Sequence, residues 1–333
     1  MSSPALHWQT RRASGPGQTL PKYGRIGLMS EQTFAYSFAA PSSPLTSFNA
    51  VYGVDFSGAK LAGQNTWIAR LEPIASGPDQ PFYRLKQLAS LETLCGTAER
   101  AEALAAFVRM IAGSENALWA LGFPFALPVE VMDTVNGVGA DWRSQFDFLQ
   151  AWGEDAYGAG VECLNRAKAL GGPGHVRRQT DLDYKTPWDT YSYRIIYQTF
   201  YGMRDVLGPL RGVPGTAILP FDYACLPAAT RTLVEACPAS TLKRLGLPHQ
   251  NYKQTGGKAP TLQHRRSRRA ILTGLAPYVS IGRVRRSVLM KNPGGDALDA
   301  VIAAVGAILS WRETDHVHVS RHPRFVREGR HYA

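Results

Sequence analysis

Four acidic residues stand where apolar sequence meets a turn or a helix start: Asp55, Glu235, Asp296 and Asp299. An ionised carboxylate at the end of a core strand costs several kcal/mol to desolvate unless a counter-charge or a cation meets it. Asp296 and Asp299 lie three apart, so on a helix they share a face and reach the same ion. Hard oxygen donors of this type suit Mg²⁺ or Mn²⁺ rather than zinc. Brought together, the four would hold two ions roughly 4 Å apart, one activating water and one stabilising the leaving oxygen of a phosphodiester. The chemistry expected is therefore that of a metal-dependent nuclease, with Asp55, Glu235, Asp296 and Asp299 as metal ligands and catalytic residues. Each acid also has a purely structural reading. Asp296 follows two glycines as an N-cap would, Asp299 suits a helix dipole, Glu235 suits the solvent side of an edge strand, and Asp55 orients a turn. Their joint fall at one kind of boundary favours the site.

The elements that must carry these acids follow from hydrophobic period. Ala50–Asp55 is an apolar β-rich run closed by the turn-forming Ser57 and Gly58, and residues 66–72 return as the second half of a hairpin. Residues 82–88 supply a third strand. Over 98–112, Leu104, Phe107, Val108 and Ile111 fall on one face of an amphipathic helix. Residues 117–121 read as a buried strand, 232–235 as another that ends in Glu235, and 297–311 as a strongly apolar helix opened by Pro293, Gly294, Gly295 and Asp296. Between them, residues 129–222 form an aromatic-rich stretch that breaks the β/α rhythm, a mostly helical insertion. The class expected is α/β, a mixed sheet flanked by helices. Residues 49–333 form one domain, and 1–48 a disordered arm rich in Ser, Pro and Gly. Within that arm, Met29 offers an alternative translation start.

The net charge of +11 is concentrated. Residues 236–295 contain twelve Lys or Arg and no Asp or Glu, and so one-sided a field attracts polyanions, of which nucleic acid, DNA or RNA, is the commonest in cells. Lys253, Arg265, Arg266, Arg268 and Arg269 are the expected nucleic-acid contacts, neutralising phosphates without reading bases. The plainer alternative is a solvated basic face. Tyr184, Trp188, Tyr191, Tyr193, Tyr197, Phe200 and Tyr201 could stack on unpaired bases. Helical spacing assigns Tyr193, Tyr197 and Phe200 to a core face, leaving Trp188 and Tyr191 as stacking candidates.

Other classes are excluded on spacing. Cys95, Cys163, Cys225 and Cys237 form no C-x-x-C pair, so neither a zinc knuckle nor a disulfide framework is indicated. His316, His318 and His322 read as a polar tail. No apolar run approaches the ~20 residues that span a bilayer, and a cytoplasmic protein is expected. Ser57 lacks the glycine two positions before it that a nucleophile elbow needs, and Thr255 to Lys258 lacks the remaining residues of a phosphate-binding P-loop.

Several short motifs, in order, resemble a known family. Gly53-Val-Asp-Phe-Ser-Gly58, Gly122-Phe-Pro-Phe-Ala-Leu-Pro128, Glu235-Ala-Cys-Pro-Ala-Ser240, Leu245-Gly-Leu-Pro248 with Tyr252-Lys253, and Asp296-Ala-Leu-Asp-Ala300 look like the successive motifs of the predicted-nuclease family labelled domain of unknown function 429. The resemblance implies a ribonuclease H-like fold, with Asp55, Glu235, Asp296 and Asp299 as its acidic site and Tyr252-Lys253 and residues 177–183 bordering the same cleft. It also exposes a departure, because the motif leads one to expect Asp where this chain has Gly122. A catalytically silent nucleic-acid-binding module on the same fold is therefore a second reading. A third, an actin- or sugar-kinase-like phosphotransferase, rests on a loose likeness of residues 55–58 to a phosphate-binding hairpin.

Overall fold

The computed structural model describes residues 48–74, 82–137 and 139–333, so the expected arm lies outside the described residues except for Phe48, which packs edge-on against Trp311 with ring centres 5.0 Å apart. The described residues form an α/β structure around one seven-stranded mixed sheet. Its strands are β1 (Ala50–Asp55), β2 (Trp67–Pro73), β3 (Tyr83–Ser90), β4 (Ala117–Leu121), β5 (Thr216–Ile218), β6 (Arg231–Glu235) and β7 (Val279–Ser280), in the spatial order β5-β6-β4-β1-β2-β3-β7. β1, β2 and β3 pair antiparallel as the expected hairpin and third strand, while β4 lies parallel to β1, and β6 parallel to β4. β4 is buried at all five residues, as its unbroken apolar run requires of a parallel strand covered on both faces. β5 and β7, of three and two residues, are too short to carry a period and escaped the sequence pattern.

Strand alternation sorts the sheet into two faces. Val54, Trp119, Leu121 and Leu233 point into one hydrophobic core, shared with Phe107 of the helix Arg100–Ala112 and with helices of the insertion. Val51, Leu118, Ala120 and Val234 point into the other, which belongs chiefly to the late helix Asp296–Glu313. That helix is buried without interruption from Ala297 to Trp311, which explains why it is apolar all round rather than striped. It lies so close to β1 that a Cβ on Gly53 would stand 2.0 Å from the carbonyl oxygen of Ala300. Only glycine permits that approach.

Two expectations are corrected outside the site. Ile196 and Phe200 of the short helix Ile196–Tyr201 face the core, but Tyr193 and Tyr197 are exposed. The helix starts at Ile196, so Tyr193 precedes it and Tyr197 falls on the outer side. Nor is the C-terminal segment a polar tail. His316 is buried with its ring 4.3 Å from that of Trp311, and Tyr332 and Ala333 are buried in turn. Among the described residues no single helix is long and apolar enough to cross a membrane.

Candidate active site

Asp55 is the last residue of β1, and Asp296 and Asp299 occupy the first turn of the late helix. Because Gly53 and Asp55 share a face, the contact that seats the helix on Gly53 also brings its N-terminal turn over Asp55. Asp296 stands near enough to Asp55 for its carboxyl to push that of Asp55 upward. Asp299, almost fully buried, accepts a 2.8 Å hydrogen bond from the Tyr252 hydroxyl and pairs with the Lys253 ammonium. One residue thus holds Asp299 in place while the next supplies the counter-charge.

The balance of charge is incomplete. Burial raises the Asp55 carboxyl; Lys253 pulls it down, but Asp299 and Asp296 push it up again and leave it well above the ordinary carboxylate range. Burial likewise raises Asp296, against the pull of Lys253 and with the push of Asp299. Burial would lower the Lys253 ammonium, but Asp299 and Asp55 outweigh it and hold the pKa above its usual value. Among the described residues Lys253 is the one cation in contact with the group, through Asp299, while Arg268 also pulls Asp296 down; the carboxyls of Asp55 and Asp296 still stand above their ordinary range. Hard oxygen donors with an unmet negative charge fit a divalent cation. Among the described residues no three His, Cys, Asp or Glu side chains stand as a ready-made ligand set; Lys253 has its ammonium within the acidic group, and a cation would share or take that position.

Glu235 does not join them, and the reason is the period of the strand. Leu121 pairs with Val54 on one side and with Glu235 on the other, which places Glu235 level with Val54, one residue short of Asp55. A one-residue offset sends a side chain to the opposite face. There Glu235 is fully buried and meets Arg178, with Nη2 2.6 Å from Oε1 and Nη1 2.9 Å from Oε2. It also accepts from the backbone N–H of Phe125 at 3.0 Å. The remaining Arg178 donors go to Asp181 and to the carbonyl of Glu328, so every N–H of the guanidinium is used. Burial would raise Asp181, but Arg178 and His331 hold it well below the usual range. Arg178 and Asp181 consequently serve this buried network, Arg177 donates instead to the carbonyls of Thr186 and Pro187, and none of residues 177–183 lines the cleft.

Gly122, at the position where the motif leads one to expect Asp, pairs its N–H with the Val54 carbonyl at 2.9 Å, and a Cβ there would lie 2.6 Å from that same oxygen. The strands approach too closely for any side chain at 122 without a backbone shift. The acids of this site are therefore Asp55, Asp296 and Asp299.

Asp55 and Asp299 line a cleft of about 850 Å³. The insertion contributes Pro187, Trp188, Arg194, Ile195 and Gln198 to its walls, and the loop after the helix Pro238–Arg244 contributes His249, Gln250 and Asn251. Of the expected phosphate contacts, Arg265, Arg266 and Arg269 are exposed on the helix Leu262–Leu275. Arg265 and Arg269 line a second groove with Arg286 and Lys291. Arg268 is corrected: it is fully buried and donates to the backbone carbonyls of Tyr252, Leu289, Met290, Asn292 and Pro293. Its place is fixed by helical geometry, since Ser267, Arg268, Ile271, Leu272 and Leu275 form the inward face. Lys253, 46% exposed at its side chain, is committed to Asp299. A charge pattern alone does not tell an arginine that braces a loop from one that meets solvent. The sequence likewise gave no sign of Arg194 and Gln198 as cleft residues. The chain matches no protein-family model, no curated protein and no solved structure.

Proposed function

We propose that this chain is a divalent-metal-dependent nuclease of ribonuclease H-like architecture, cleaving phosphodiester bonds in nucleic acid at the Asp55, Asp296 and Asp299 cluster. One observation carries the reading: Asp55 and Asp299 line an open cleft with Asp296 one helical turn before Asp299, and the carboxyls of Asp55 and Asp296 stay above their ordinary range despite the pull of Lys253. The hairpin, third antiparallel strand, parallel strands and late helix, an α/β mixed sheet flanked by helices, support that architecture. Asp55, Asp296 and Asp299 would hold Mg²⁺ or Mn²⁺, whose chemistry is to lower the pKa of a bound water and to stabilise the leaving oxygen. Tyr252 positions Asp299 through its hydroxyl. Lys253, half-exposed and paired with Asp299, would meet a non-bridging phosphate oxygen. The groove lined by Arg265, Arg269, Arg286 and Lys291 would take the flanking backbone. The test is cleavage of labelled DNA and RNA with Mg²⁺ or Mn²⁺. Asp55→Asn should lower cleavage about a thousandfold, equivalent to several kcal/mol of transition-state stabilisation, while nucleic-acid binding persists. Purified protein that cuts neither polymer with either ion sinks the proposal.

A silent binding module is the second reading, favoured specifically by Gly122 and by the ammonium of Lys253 among the acids. Salt-sensitive binding without metal-dependent cutting would select it.

A further inference from the structure

The acidic cleft carries an exposed indole and, among the described residues, a cation that no acid claims. Trp188 is 40% exposed and Tyr193 is 66% exposed, an arrangement that places large rings in water where burial would otherwise be favoured. Arg194 lies between them, its guanidinium carbon 4.5 Å from the centre of the Trp188 ring and 5.3 Å from that of Tyr193. Its charge is held by aromatic faces, within the range of a cation–π contact. Trp188 and Arg194 line the same cleft as Asp55 and Asp299. His249, Gln250 and Asn251, all exposed, line the same cleft, and Asn251 keeps a left-handed φ of 56°, a conformation that Asn tolerates better than most residues.

Tyr191, the other stacking candidate from the sequence, is ruled out by its surroundings. It is buried, its hydroxyl receives the Val176 N–H at 2.6 Å and donates to the Gly174 carbonyl at 3.0 Å. Trp188 therefore stands apart from its aromatic neighbours in facing the cleft.

We propose that Trp188 and Arg194 form a stacking platform for an unpaired nucleobase, so that the strand entering the acidic cleft is single-stranded at that point. This rests on the reading of the cleft as a nucleic-acid site and names its substrate class. A ring system with a π-face stacks on indole and on guanidinium whatever its sequence, while the amide and imidazole groups of residues 249–251 offer donors and acceptors for a base edge. A paired base inside a duplex has its faces covered by its neighbours and cannot use the platform without leaving the stack.

The experiment uses the full chain carrying Asp55→Asn, so that the strand stays intact, in EDTA, with a fluorescein-labelled single strand and the blunt duplex of the same sequence. Adding Trp188→Ala should weaken single-strand binding about tenfold and leave duplex binding within twofold. Trp188→Phe should retain most of the affinity, and Arg194→Ala should lose part of it. Unchanged single-strand affinity in both Trp188→Ala and Arg194→Ala overturns the platform, as does an equal loss for strand and duplex. Equal competition by free mononucleotide would show that a base alone, and not a strand, is the occupant, and overturns the single-strand assignment. Melting curves matching the parent exclude misfolding of Trp188→Ala; should that variant melt early, Arg194→Ala alone decides. The two readings separate cleanly. Absence of cleavage in the unmodified chain refutes the nuclease and leaves Trp188-dependent binding standing, whereas cleavage with no Trp188 effect refutes the platform alone.

Discussion

Two acidic sites lie back to back at the same end of the sheet, one on each face, and they have opposite characters. Around Glu235, Arg178 spends every donor on Glu235, Asp181 and the Glu328 carbonyl, and Glu235, Arg178 and Asp181 are all buried. Around Asp55, Lys253 is among the described residues the one cation in contact with the acids, through Asp299, and it stays half-exposed in an open cleft. Both sites use acids at strand or helix ends. What separates a fastener from a reactive site is the match of charge and the access of water, and neither can be read from residue type. A sealed, fully paired carboxylate holds structure. An open, under-compensated one costs stability and retains affinity for a cation.

The largest test of that contrast is stability. Glu235→Ala leaves the Arg178 guanidinium buried without its main partner and should cost about 3–5 kcal/mol by urea unfolding. Asp55→Asn relieves repulsion and should leave stability unchanged or raise it, by at most about 2 kcal/mol. The contrast breaks if Asp55→Asn is the more damaging of the two. A smaller effect divides the basic helix in the same way. Arg268→Ala strips a donor from five backbone carbonyls and should cost about 3 kcal/mol, whereas Arg265→Ala and Arg269→Ala should stay within about 0.5 kcal/mol of the parent. Each of the latter should instead flatten the salt dependence of nucleic-acid binding by about one unit of log–log slope. Equal slopes in parent and variants would remove both arginines from the interface. The smallest effect is on acid stability. Asp181 titrates lower folded than unfolded, so its contribution is complete above the unfolded carboxylate pKa of about 4 and is lost as pH falls below it. Asp181→Asn should therefore make stability less steep in pH below about 4, measured by urea unfolding across that range. An unaltered slope would mean that Arg178 does not hold this carboxylate down.

Much of the fold was legible because its strands and helices announce themselves by period. The hairpin, β4, β6 and the late helix all carry runs long enough to read, and their order yields the mixed sheet. The site was legible in part for a physical reason. Asp55, Asp296 and Asp299 meet through contacts of the late helix on β1, and Gly53 is the visible trace of that contact. Glu235 misled because register, a property of two strands together, decides the face on which a strand's last residue emerges. Arg268 misled because a buried arginine satisfied by carbonyls has the same letter as an exposed one. Tyr193 misled because helical spacing was extended back past the point where the helix begins, and Tyr197 because it falls on the outer side of that helix.

Gly53 bears a consequence beyond packing. The late helix leans on the bare backbone of β1 where a methyl group would already collide with Ala300, two residues from Asp55 on the strand and, on the helix, next to Asp299 and about one turn from Asp296. The absence of a side chain thus acts as the gauge block that sets the gap between the acids of the strand and those of the helix. A substituent at 53, however small, would prise the two apart from behind, and the cluster would lose its spacing although none of its own atoms had been exchanged.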